Sequence, residues 1–223
     1  MELKNKNLTV IGLGQTGVAV ANFLSRKGAC VTVTDGKSRE QLLEPLKQLC
    51  PDVKTCFQNP EPPSDTEVVV LSPGVDIYSS FLESASNRGI EIISEIELAN
   101  RFNTVPIIAI TGTNGKSTCT SLIAEIFSQA GKTVHAGGNL GTPFISLLDK
   151  GEADYRVLEL SSFQMEATSG LHPVASIILN ISPDHMDRHK DFASYVELKK
   201  KIFAHQTQKD FLILNQDDPI TRD

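Results

Sequence analysis

Pro106-Ile-Ile-Ala-Ile-Thr-Gly-Thr-Asn-Gly-Lys-Ser-Thr-Cys-Thr120 joins an apolar β-branched run to a glycine-rich turn and then to a helix-forming stretch. Ile107 to Ile110 has the character of a buried strand. After the turn, Leu122, Ile123, Ile126 and Phe127 recur at helical spacing. A strand, a glycine turn and a helix start make a phosphate cradle: Gly112 and Gly115 let backbone N–H groups face an anion, and the helix N-terminus adds partial positive charge. In such a cradle Gly112, Thr113, Asn114, Gly115, Lys116, Ser117 and Thr118 surround a nucleotide's phosphates. Lys116 reaches the β- and γ-phosphates, and Ser117 is placed to ligate Mg²⁺. The full P-loop pattern asks for a glycine six residues before the lysine, where Ile110 stands. The alternative is an ordinary glycine-rich turn with a solvated lysine. The strand context and the Gly-Lys-Ser-Thr order favour a nucleoside triphosphate.

Composition limits the partners. The chain has 223 residues, 40% of them hydrophobic, and a net charge of -6. That acidic balance argues against a broad nucleic-acid or anionic-membrane surface. Four cysteines (Cys30, Cys50, Cys56 and Cys119) show no metal-ligand spacing and are read as reduced thiols of a cytoplasmic protein. No apolar run approaches membrane-spanning length, and the first residues do not resemble a signal peptide. A monomer is expected.

A second nucleotide-type motif opens the chain. Leu8 to Ile11 is strand-like and runs into Gly12-Leu-Gly-Gln-Thr-Gly17, followed by a helical stretch from Val18 to Lys27. A strand from Cys30 to Thr34 then ends at Asp35. This is the Gly-x-Gly-x-x-Gly fingerprint with an acid about twenty residues on, which accepts a dinucleotide or another nucleotide diphosphate. A turn without ligand, with Asp35 as a helix cap, is the other reading. Gln41 to Leu49 is read as a helix broken or kinked by Pro45, Asn59 to Ser64 as a loop, and Val68 to Leu71 as a buried strand ending in Ser72-Pro-Gly74. Gly17, Asp35 and Gly74 then share the carboxyl edge of one parallel sheet. A helix from Tyr78 to Asn87 and a strand from Glu91 to Ile93 follow. Ser94-Glu-Ile-Glu97 reads as a capping box, with a polar hinge from Asn100 to Thr104. The first domain is placed at 1–93 and the second at 94–223.

The second domain continues the alternation. Gly137 to Gly141 is a loop at a strand end, and Arg156 to Leu160 is a buried strand carrying one carboxylate, Glu159. A lone Glu in an apolar strand is costly unless paired or on a metal, so beside a phosphate cradle it is a candidate for the Mg²⁺-side acid. A strand from Ala175 to Asn180 leads into Asp184-His-Met-Asp-Arg-His189, a cluster suited to metal or phosphate chemistry. A helix from Phe192 to His205 carries Lys199-Lys-Lys201. A strand from Phe211 to Leu214 is the last element.

Thr111-Gly-Thr-Asn-Gly-Lys-Ser-Thr118, Leu158-Glu-Leu-Ser-Ser-Phe-Gln164 and Asp184-His-Met-Asp-Arg-His189 closely resemble the Mur ligases of bacterial cell-wall synthesis. The first domain resembles the branch that adds D-glutamate to UDP-N-acetylmuramoyl-L-alanine. The resemblance implies an α/β chain with a Rossmann-like parallel-sheet UDP-substrate domain and a P-loop-type, mostly parallel central ATP domain. The central domain would be truncated here, and the C-terminal D-glutamate-binding domain absent. It implies an ATP-dependent carbon–nitrogen ligase that uses ATP and Mg²⁺ and passes through an acyl phosphate. Gln15, Thr16, Asp35, Lys37 and Gly74 would line the uridine diphosphate site, and Asn139 and His185 would meet the muramoyl substrate. Lys116, Glu159, His185 and Lys199 would be catalytic. Ser117, Glu159, His185 and a carbamylated Lys199, in a Tyr195-x-x-x-Lys199 pattern, would serve Mg²⁺, leaving Lys200 and Lys201 solvated. Two other readings stand beside it: an NAD-dependent oxidoreductase built on the first motif, and a non-catalytic nucleotide-binding module.

Overall fold

The computed structural model describes residues 2–222. Its contacts divide it into two compact units, Met1–Phe102 and Asn103–Asp223. The first unit runs β1 (Asn7–Ile11), α1 (Gln15–Arg26), β2 (Cys30–Asp35), α2 (Leu43–Leu46), β3 (Lys54–Phe57), β4 (Val68–Leu71), α3 (Ser80–Asn87), β5 (Glu91–Ser94) and α4 (Glu95–Phe102). Its five strands are parallel, in the order β3-β2-β1-β4-β5. β1 and β4 need near-continuous apolar runs because both of their faces are covered, and Leu8, Val10 and Val68 to Leu71 are buried accordingly. α1 lays Val18, Val20, Ala21, Phe23 and Leu24 on the core. The chain moves from β1 to β2 on one side and later returns to β4 on the other, which opens a crevice at their carboxyl ends.

The second unit runs β6 (Ile107–Thr111), α5 (Lys116–Gln129), β7 (Val134–Gly138), α6 (Phe144–Leu147), β8 (Tyr155–Glu159), α7 (Ser162–Glu166), β9 (Ala175–Ile178), α8 (Phe192–Lys200), β10 (Phe211–Leu214) and α9 (Pro219–Arg222). Its strands are also parallel, in the order β10-β9-β6-β8-β7, with the cradle strand in the centre. Ile108, Ile110, Val157 and Ile177 form a core against Ile123 and Phe127 of α5. Each such side chain contributes about 1.5–3 kcal/mol when fully buried. The pairing sets Glu159 opposite Ile110, so the strand carboxylate ends beside the glycine turn.

Three expectations meet the structure. First, the boundary expected near residue 94 has α4 as its bridge; α4 buries Ile96, Leu98 and Ala99, and the contacts divide the chain after it, at Phe102. Arg101 reaches back to Glu91 at 2.6 Å and Glu97 at 3.1 Å, and Phe102 meets Phe23 edge-on at 5.3 Å. The polar break therefore begins at Asn103, not Asn100. Second, Gln41 to Leu49 gives only a 3-10 turn (Glu40–Leu42) and the four-residue α2, while Lys54–Phe57 forms an edge strand that alternation did not single out. Third, α8 ends at Lys200 and tightens into a 3-10 turn over Lys201–Phe203, short of His205. Among the described residues, no helix is long and apolar enough to cross a membrane.

Candidate functional site

In the first unit, a cleft of about 470 Å³ lies at the carboxyl ends of β1, β2 and β4. Gly12, Gly14, Gln15, Thr16, Asp35, Lys37 and Gly74 line it. α1 begins at this cleft with no acid in its first turn, so its N-terminal dipole favours an anion there. Asp35 closes the glycine turn from the side: Leu13 N donates to its Oδ2 and Lys37 N to its Oδ1, each at 2.8 Å. The carboxylate thus holds two loops together at the mouth of the cleft. Ser72, which the sequence marked only as a strand end, donates its hydroxyl to Gly12 O at 2.8 Å. Gly17 stands behind the cleft and not in its lining. A Cβ there would lie 1.9 Å from Gly12 O, so only glycine lets α1 approach β1 so closely.

The second unit brings the cradle, Glu159, Asn139, Lys199 and Tyr195 together. Gly115 caps α5 with φ +80, a conformation that favours glycine. Asn180, at the end of β9, fastens the turn: its Oδ1 accepts from Asn114 N at 2.9 Å and its Nδ2 donates to Asn114 O at 3.1 Å. Its backbone carbonyl accepts from Thr113 N at 2.9 Å. Lys116 Nζ donates to Gly112 O at 3.0 Å and Thr113 O at 2.8 Å, which keeps its ammonium over the turn. Ser117 and Thr118, in the first turn of α5, are exposed.

Glu159 is 2% exposed. Asn139 Nδ2 donates to its Oε1 at 2.7 Å, whereas its Oε2 is buried without a hydrogen-bond partner. A buried carboxylate oxygen left unpaired is expensive, and a cation is what relieves it. Carboxylate, hydroxyl and phosphate oxygens are hard donors that suit Mg²⁺. Among the described residues no group of three or more His, Cys, Asp or Glu could hold a metal, so phosphate oxygens and water would complete any such shell. Asn139 therefore orients the carboxylate, a role that its place in a loop did not suggest.

Lys199 is 2% exposed; its Nζ donates to Gly112 O at 2.8 Å and lies 4.6 Å from the centre of the Tyr195 ring. Burial, joined by the nearby Lys116 cation and opposed by Asp184, lowers its pKa to about 7. Tyr195 meets Thr113 Oγ1 at 3.1 Å, and burial raises its phenol above the ordinary range. His185 is exposed with φ +54, and its Nε2 lies 3.5 Å from Asp184 Oδ2. His189, four residues on, is buried instead, with Nε2 3.0 Å from Ser162 Oγ.

The lysine triplet divides differently from expectation. Lys200 is exposed and pairs with Glu197 at 2.9 Å. Lys201 is not solvated: it donates to the carbonyls of Met165 and Glu166, each at 3.0 Å, at the C-terminal end of α7, where the helix dipole favours a cation. The turn after Lys200 rotates its side chain inward. Helical spacing alone would not show this.

Two family descriptions match. The Mur ligase MurD-like N-terminal domain matches residues 6–94, and the Mur ligase middle domain matches residues 110–223. A UDP-N-acetylmuramoylalanine–D-glutamate ligase of Geobacter metallireducens is 47% identical over 99% of this chain. A ligase of the same name from Caldanaerobacter subterraneus is 44% identical over 99% of it. The chain spans about half the length of these curated relatives, 50% in each case. Among solved structures, the UDP-N-acetylmuramate–alanine ligase MurC of Thermotoga maritima superposes with a TM-score of 0.57 at 21% identity. That superposition covers 96% of this chain and 50% of that one, a likeness of fold.

Proposed function

This chain belongs to the Mur ligase family, and from that premise we propose that it carries the substrate-binding and ATP-binding parts of a cytoplasmic ligase joining D-glutamate to UDP-N-acetylmuramoyl-L-alanine. The observation that carries the reading is Glu159, buried beside the phosphate cradle with one oxygen held by Asn139 and the other unpartnered. Relatives bearing that ligase name at 47% and 44% identity support the choice of substrates. An oxidoreductase would leave this carboxylate and the cradle without a role.

In this reading, the first-unit cleft takes the uridine diphosphate, with Gln15, Thr16, Lys37 and Gly74 around it and the α1 N-terminus facing the anion. In the second unit, the turn from Gly112 to Thr118 holds the ATP phosphates. The L-alanyl carboxylate oxygen attacks the γ-phosphorus, the bond to the β-phosphate oxygen breaks, and ADP leaves an acyl phosphate. The amine of D-glutamate then attacks the acyl carbon; the nitrogen loses a proton and phosphate departs with the oxygen it gained. Nucleophile and electrophile are both anions, so the Lys116 ammonium must meet charge that grows on the γ-phosphoryl oxygens. Ser117, Glu159, His185 and a carbamylated Lys199 would hold Mg²⁺, which would neutralise phosphate charge. A carbamate forms only from a neutral amine, and a Lys199 pKa near 7 meets that condition.

The test is phosphate release by the full-length protein. Release should require both UDP-N-acetylmuramoyl-L-alanine and D-glutamate, and Lys116→Ala should lower it at least a hundredfold, since a comparable charge-stabilising donor is worth about 10²–10³ in rate. Release independent of the UDP substrate, or a variant within about tenfold of the parent, would overturn the reading.

A further inference from the structure

His189 is buried, and no role in the proposed reaction has yet been given to it. Its Nε2 lies 3.0 Å from Oγ of Ser162, the first residue of α7, three positions beyond the end of β8 at Glu159. Its Nδ1 faces Glu166 Oε1 at 3.9 Å, and the other oxygen of Glu166 meets Arg188 at 3.4 Å. Its ring stacks on Phe163 at 5.1 Å with an 18° tilt and meets Tyr195 at 5.2 Å. Phe163 in turn carries the His185 ring at 4.9 Å. Backbone bonds complete the turn: Arg188 N and His189 N both donate to His185 O at 3.0 Å. His185 itself has φ +54, a conformation a non-glycine residue keeps only when its surroundings over-determine it.

We propose that His189 is a positioning residue, a latch that fixes the His185 turn against the strand end carrying Glu159. The Ser162–His189 bond ties the far end of that turn to α7. α7 opens three residues after Glu159, and a capping box fixes its first turn, with Ser161 Oγ accepting from Gln164 N and Gln164 Oε1 accepting from Ser161 N. Tyr195 carries the same brace on to Thr113 in the phosphate turn. Glu159 ends β8 and His185 lies in the segment after β9, so the ties between that segment and α7 help to set their separation, and the Ser162–His189 bond is the buried hydrogen bond among them.

The inference rests on the reading that Glu159 and His185 serve a metal held with ATP, and its test separates the two. The probe is Mn²⁺ affinity of the full-length protein saturated with a non-hydrolysable ATP analogue, with thermal midpoints recorded alongside. Ser162→Ala and His189→Phe should weaken Mn²⁺ about tenfold or more, as outer-shell partners of metal ligands do. His189→Gln, whose amide can replace Nε2, should return affinity to within about threefold of the parent. Midpoints for Ser162→Ala and His189→Gln should stay near the parent's. If Glu159→Gln weakens Mn²⁺ while Ser162→Ala and His189→Phe do not, the metal reading stands and the latch is wrong. Weakening that tracks a fallen midpoint and is not rescued by glutamine makes His189 a stability residue only, which also overturns the latch. If Glu159→Gln changes nothing, the metal reading fails and the latch with it.

Discussion

Lys199 shows how much of a residue's chemistry burial decides. A lysine in a triplet on a helix looks solvated, yet this one lies under the phosphate turn with its amine against Gly112 O. The sequence pointed to it only through the resemblance to the Mur ligases, whose Tyr-x-x-x-Lys pattern Tyr195 and Lys199 match, and nothing in the sequence told Lys201 from Lys200. Two predictions belong to this residue. The first concerns catalysis in the full-length protein: Lys199→Ala should nearly abolish turnover, and short carboxylic acids able to fill the vacated oxygen position should partly restore it. Parent protein should show added mass at Lys199 under bicarbonate. A Lys199→Ala variant of parent-like activity would remove the lysine from the site.

The second concerns stability. The unfolded chain holds the Lys199 proton up to its ordinary value of 10.5, whereas the folded chain releases it at about 7. Between those values the unfolded state binds more protons, so stability rises with pH. Below pH 7 the penalty for burying the charge is present in full. In bicarbonate-free buffer, where the amine is unmodified, the parent should therefore gain stability relative to Lys199→Met from pH 7 toward pH 10, by on the order of a few kcal/mol. Parallel curves for the two in chemical denaturation would contradict that. Lys201→Ala should cost stability as well, since two helix-end carbonyls lose their donor, and Lys200→Ala should cost almost none.

Elements buried on both faces were legible, and those shaped by one side chain were not. β4 and β6 are continuous apolar runs, and their turns carry the glycines that a strand-to-helix change of direction needs. β3 escaped because Lys54–Phe57 is a half-exposed edge strand with only two apolar side chains. The intended helix around Pro45 shrank to four residues because proline has no N–H to donate and its ring crowds the turn before it. At Gly17 the close approach of α1 to β1 makes a prediction about the element pair. Gly17→Ala puts a Cβ 1.9 Å from a backbone oxygen, which neither partner can yield without moving. The variant should lose about 1–3 kcal/mol of stability and weaken UDP-N-acetylmuramoyl-L-alanine binding by this chain at least tenfold in calorimetric titration. Parent-like affinity would mean that the turn does not shape the cleft.

At the scale of the molecule, the alternation of strand and helix predicted two parallel α/β units, and both sheets have that form. What the order of elements could not supply was the pairing of distant residues: Asn180 on the cradle, Asn139 on Glu159, Ser162 on His189. These depend on register between strands far apart in the chain, and no local pattern encodes them. The proposed ligase reaction passes through an acyl phosphate, in which a substrate carboxylate oxygen moves onto the transferred phosphoryl group. The most direct measurement is isotope transfer in the full-length protein, with ¹⁸O in the L-alanyl carboxylate of UDP-N-acetylmuramoyl-L-alanine. An acyl phosphate predicts that each phosphate released during turnover carries one ¹⁸O; phosphate free of ¹⁸O, with product still formed, would contradict it.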